Sequence, residues 1–196
     1  MISESSETIM IEIMIAICAL LTSIVSIFLT MRTLEMQKKH NLKSVRPIGR
    51  ITAGDYENDV YISIVNEGIG PLIIKNFKAS NSQLTSSSII DIIPKNINDK
   101  VIWDDFASNF FNRAIKASGR LYLVRLKFDD TTEERQSAND KLRNDLRRFF
   151  QHLTLELEYT DIYEQDTYTV IRELSWFGRH FKDGKNVHKQ KYSIRR

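Results

Sequence analysis

The sequence predicts an α+β fold: one N-terminal transmembrane helix, then a mainly antiparallel, sandwich-like β domain carrying one packed amphipathic helix. Three observations lead there. Ile13 to Met31 contains no charged residue. The chain beyond it breaks into short β-branched or alternating segments punctuated by Gly, Pro and Ser, the pattern of strands and turns. Only Thr131 to Gln151 returns to a helical period. The expected divisions are a short tail (1–8), a span with its juxtamembrane extension (9–41), a β-rich domain (45–177) and a basic tail (178–196).

The span comes first. Nineteen uncharged residues in helix cover about 28 Å, close to the hydrocarbon thickness of a bilayer. Its polar and small residues, Glu12, Ala16, Ala19, Ser23, Ser26, Thr30, Thr33 and Gln37, recur in alternating steps of four and three and so form one stripe. Ile13, Ile17, Leu20, Ile24, Ile27, Phe28 and Met31 occupy the remaining faces. Small residues permit close helix approach and hydroxyls bond across helix pairs, so the stripe reads as a pore lining or a self-association seam. The alternative is that each hydroxyl bonds back to its own helix. Glu12 adds weight to the first reading, because a carboxylate in a membrane needs water or a partner.

Flanking charge orients the span. Glu4 and Glu7 precede it without any Lys or Arg, which is unlike a cleaved signal peptide and favours a retained single span. Residues 32–50 hold Arg32, Lys38, Lys39, Lys43, Arg46 and Arg50 against one acid, so the N-terminus is expected outside and the domain in the cytoplasm. The sole cysteine, Cys18, lies in the span, which excludes a disulfide framework in the domain. Net charge is uneven: residues 51–177 carry fifteen bases and twenty acids, and residues 178–196 carry seven bases and one acid. The collar residues and tail residues such as Arg179, Lys182 and Lys185 are therefore candidate contacts for anionic lipid headgroups, or for nucleic acid.

Along the domain, Pro47 ends the helix that continues to about Asn41 and starts an extended course. Ile48–Ala53, Val60–Asn66 and Leu72–Ala79 read as strands. The turn Asn66-Glu67-Gly68-Ile69-Gly70-Pro71 offers two glycines for positive φ. A Ser-rich loop (80–88) and a short apolar element (89–93) follow. Trp103, Phe106, Phe110 and Phe111 are expected core anchors. Arg120–Phe128 is a strand, and the 131–151 helix carries an apolar stripe of Ala138, Leu142, Leu146, Phe149 and Leu153. Leu153–Thr160 and Thr167–Leu174 make a hairpin.

Catalytic signals are sparse. Gly68-Ile69-Gly70 leads into proline rather than a helix and is no phosphate loop. The histidines at 40, 152, 180 and 188 lack metal-ligand spacing, so neither a metal nor a cofactor is expected. Arg147-Arg148-Phe149-Phe150-Gln151-His152 matches the R-x4-H form of HEPN ribonucleases. Five residues apart on a helix, however, Arg147 and His152 point about 140° apart, so no catalytic residue is assigned to the pair.

One N-terminal span, a cytoplasmic domain and a lone R-x4-H motif together resemble the membrane accessory proteins of type VI-B CRISPR systems. That resemblance implies a homo-oligomeric pore in the bacterial inner membrane, functionally linked to an RNA-guided effector in antiphage defence. Val45-Arg46-Pro47 and N-E-G-I-G-P at 66–71 are similar to the start of many bacterial single-pass proteins with a β-rich cytoplasmic domain. The leading expectation is thus a non-enzymatic, oligomeric pore or depolarising effector. A tethered module for a protein or signalling nucleotide is the alternative, ahead of a HEPN-like RNase.

Overall fold

The structure, a computed structural model, describes residues 2–128, 132–181 and 190–195, with side chains from Ile9 onward. Two compact units divide the chain, 1–44 and 45–196.

The first unit is one helix, α1 (Ile2–Ser44, 43 residues), longer than expected at both ends. Every side chain from Ile9 to Asn41 is exposed. The segment Ile9–Ser44 is long and apolar enough to cross a membrane.

The second unit is a two-sheet sandwich. Strands β1 (Gly49–Tyr56) and β2 (Asp59–Asn66) form a hairpin closed by Glu57 and Asn58. β3 (Leu72–Ser80) crosses to the other sheet, followed by the two-residue strand β4 (Thr85–Ser86). Short helices α2 (Ile89–Ile92) and α3 (Lys95–Asn98) replace the single apolar element after the Ser-rich loop. β5 (Asp105–Phe106) and β6 (Ala114–Ile115) precede β7 (Arg120–Lys127). Helix α4 (Glu133–Phe150) is capped by Thr132, whose hydroxyl accepts from the Arg135 N–H. β8 (Thr154–Thr160) and β9 (Thr167–Glu173) make the expected hairpin, a 3-10 helix spans Ser175–His180, and β10 is Gln190–Arg195. The first sheet runs β1-β2-β7-β5 and the second β10-β9-β8-β3-β4, with β6 also paired to β3. All pairings are antiparallel.

Alternation puts Ile51, Ile62, Ile64 and Leu126 on the inner face of the first sheet, against Leu72, Ile74, Phe77, Leu157 and Val170 of the second. Register shifts near Ser63 and Asn76 mark irregularities that keep both Leu123 and Val124, and both Ile74 and Phe77, in the core.

Several expectations change. Neither turn glycine has positive φ. Space is what they provide: a Cβ on Gly68 would lie 2.4 Å from the Arg46 carbonyl oxygen, and one on Gly70 1.7 Å from that of Val45. Buried Asn66 organises the turn, donating to the Gly70, Ile115 and Lys116 carbonyls and accepting from Gly68 N–H at 3.0 Å. Of the expected aromatic anchors, Phe110 is buried and Trp103 half-buried, but Phe106 and Phe111 are exposed, because β5 holds only two residues and the chain turns at once beyond Phe110. Of the expected stripe beside α4, Leu146 and Leu153 are buried and Leu142 and Phe149 pack half-buried against the core, while Ala138 is exposed and Arg143 and Phe150 are buried instead. Arg143 joins the buried face by donating to the Glu57 carbonyl and stacking 4.5 Å from the Phe128 ring. The region 178–196 is not wholly a tail, since residues 190–195 extend the second sheet beside β9.

Candidate functional site

On α1, the Ser23 hydroxyl donates to the Ala19 carbonyl at 2.8 Å, Thr30 to Ser26 at 2.8 Å and Thr33 to Leu29 at 2.9 Å. These bonds satisfy each donor within the helix, yet leave the hydroxyl lone pairs free to accept from a neighbour. Glu12, Ala16, Ala19, Ser26 and Gln37 are exposed along the same stripe. Of the cationic collar, Arg32 lies 5.1 Å over its own helix's Phe28, and Lys38, Lys39 and Lys43 are exposed. Lys182 and Lys185 lie outside the described residues.

In the domain, the pair Arg147 and His152 is not brought together. His152 is exposed where α4 ends, its N–H bonded to the Phe149 carbonyl. Arg147 instead turns inward to Asp55, donating from Nε at 3.0 Å and from the terminal nitrogen at 2.9 Å. Arg147 thus spans both carboxylate oxygens, and Arg179 shares Oδ2 with it at 2.7 Å, where His180 Nε2 also approaches at 3.2 Å. The Asp55 side chain is completely buried, which is tolerable only because two guanidiniums neutralise it. Arg179 also stacks 3.5 Å over the Trp176 ring. A residue expected at headgroups or nucleic acid therefore ties the 3-10 helix to β1. His180 has its pKa lowered, by burial first and then by the charges of Arg147 and Arg179, against the pull of Asp55. At neutral pH it joins the cluster as a neutral donor.

The other side of β1 is a cleft. The two-residue turn at Glu57–Asn58 makes Tyr56 and Asp59 a hydrogen-bonded pair, so the even residues of β1 bond β2 and the odd ones face its free edge. Three side chains from the second half of the domain cover that edge. Tyr159 accepts from the Gly49 N–H at 2.9 Å, Arg172 donates to the Ile51 carbonyl, and Arg179 reaches the Asp55 carbonyl at 3.5 Å. Such covering protects an edge strand from pairing with another chain.

Beside this edge opens a cleft of about 440 Å³, within the range of small-ligand sites. Arg50, Thr52, Gly54, Tyr56, Arg120, Arg172 and Trp176 are among its walls. Tyr56 and Tyr61 stack at 6.2 Å over Gly54, where a Cβ would come within 2.3 Å of the Tyr61 ring. Arg120 lies 5.4 Å from the Tyr61 ring and 5.8 Å from that of Tyr122. Sequence reasoning missed Asp55, Arg172 and Arg120. For Arg172 and Arg120 the one signal was a basic residue in a strand, as at Arg172 in T-V-I-R-E-L, and for Asp55 it was an acid in the strand segment before the turn.

Compared with known proteins, the chain matches no family model, no curated protein and no solved structure.

Proposed function

We propose that this chain is a single-pass membrane protein that assembles through α1 into a homo-oligomer, and that assembly opens a pore or otherwise depolarises the membrane. The observation that carries the reading is α1 itself: an apolar helix without cover on any face, marked by one continuous stripe from Glu12 to Gln37. The cations at Arg32, Lys38, Lys39 and Lys43 support an outside N-terminus and a cytoplasmic domain in a bacterial inner membrane. The layout's resemblance to type VI-B accessory proteins supports a role in antiphage defence. No catalytic step is assigned, a choice supported by the engagement of Arg147 with Asp55.

The stripe provides the test. Ser23→Leu and Ser26→Leu fill the space that close approach needs, whereas Ile17→Leu and Ile24→Leu alter another face. Oligomer mass in mild detergent and membrane depolarisation in cells should both fall sharply for the serine variants and stay unchanged for the isoleucine variants. Equal effects from the two faces would overturn the reading.

A second reading, a membrane-tethered binding module, is favoured by the cationic cleft beside β1, a feature a passive anchor does not need.

A further inference from the structure

Arg172 projects from the inward-facing side of β9 in register with Tyr168 and Val170 and is 7% exposed. A guanidinium carries five N–H donors. Here one of them reaches the Ile51 carbonyl, and among the described residues no carboxylate lies within ion-pair distance. Burial, and next the like charge of Arg50, pull its pKa down from the ordinary value. A buried cation in that state is stabilised by an anion brought to it.

Two further guanidiniums line the same cleft. Arg120 rests on the Tyr61 and Tyr122 rings, contacts that leave its charge unneutralised. Arg50 pairs with Glu67 at 3.0 Å, but the two side chains are 51% and 44% exposed, and a pair so solvated exchanges readily. The two carboxylates at the cleft, Glu67 and Asp55, are already held by Arg50 and by Arg147 with Arg179. The cleft is thus cationic on a domain whose residues 51–177, which exclude Arg50, carry twenty acids against fifteen bases. Ala53, an odd residue of β1 on the cleft wall, turns its N–H to the free edge between the two covered carbonyls.

We propose that the cleft beside β1 binds a phosphoryl group, with Arg172 as the buried anchor, Arg120 and Arg50 as flanking forks and the Ala53 N–H as a backbone donor. Three guanidinium forks exceed what the two oxygens of one carboxylate can accept, whereas a terminal phosphate or diphosphate presents more oxygens and more charge. A soluble phosphorylated molecule and a lipid headgroup share this chemistry. The site operates whether α1 assembles or only anchors.

The test uses the full chain in phosphatidylcholine nanodiscs, titrated calorimetrically with inorganic pyrophosphate. Saturable one-to-one binding is expected, weakened about tenfold or more by Arg120→Gln or Arg50→Gln and lost in Arg172→Gln. Lys78→Gln, at an exposed position of β3 that does not line the cleft, should leave it unchanged. Oxalate, a dianion without phosphoryl geometry, should bind at least about tenfold more weakly. Adding phosphatidylglycerol to the disc separates the sources: displacement of pyrophosphate identifies a headgroup as occupant, and unaltered affinity identifies a soluble one. Absence of pyrophosphate binding, equal affinity for oxalate, or binding undiminished in Arg50→Gln and Arg120→Gln would overturn the proposal. Those two exposed positions decide the matter even if Arg172→Gln fails to fold.

Discussion

Asp55 and Arg172 sit at opposite ends of the problem of burying charge. At Asp55, α4 and the 3-10 helix each supply an arginine to one buried carboxylate, and the pairing ties both elements to β1. At Arg172 a buried guanidinium has a backbone carbonyl and an open cleft, with no carboxylate beside it among the described residues. A neutralised charge holds a structure together; one left without a counter-charge adds little to stability and much to affinity for an anion. The contrast separates a structural cluster from a binding site within one domain.

Breaking the Asp55 cluster should have the largest effect. Asp55→Ala leaves two guanidiniums facing each other in a buried site and should destabilise the domain by about 3–5 kcal/mol in chemical denaturation. Arg147→Ala alone should cost less, because Arg179 and His180 still face the carboxylate, and its cost should vanish in the Asp55→Ala background. A full additive cost there would show that Arg147 acts through packing rather than through Asp55.

Arg172 should behave in the opposite way. Arg172→Met keeps the aliphatic stem, removes a desolvated charge and gives up one bond to Ile51, so stability should change by less than about 1 kcal/mol. Destabilisation on the scale of Asp55→Ala would place Arg172 among the structural charges and erase the distinction.

The smallest effect comes from His180. Its pKa in the folded protein lies below the ordinary 6.5, so the unfolded chain binds the proton first as pH falls. Its contribution is fully present above about 6.5 and is lost as pH falls from there through the folded value. The step should be shallow, since the side chain is 41% exposed. Melting temperature followed from pH 8 to 5 should show a decline that is reduced in His180→Gln. An identical decline in that variant would remove His180 from the cluster's electrostatics.

Elements with local signals were legible before folding. The uncharged run predicted α1, strand-like segments predicted β2, β3 and β7, and the helical period of 131–151 predicted α4. Local signals also gave the β8–β9 hairpin and the α+β class. Which charges meet depends on how the chain packs. Asp55 lies 92 residues from Arg147 and 124 from Arg179, and Arg172 lies 121 from Ile51, separations over which no periodicity carries information. The R-x4-H spacing already argued against a meeting of Arg147 and His152 but could not name a partner for either, whereas the fold pairs Arg147 with Asp55 and places His180 beside them. Gly68 and Gly70 follow the same logic. Their identity is set not by their own φ but by the backbone of residues 45–48 passing against them, a contact made only once the chain has folded back on itself.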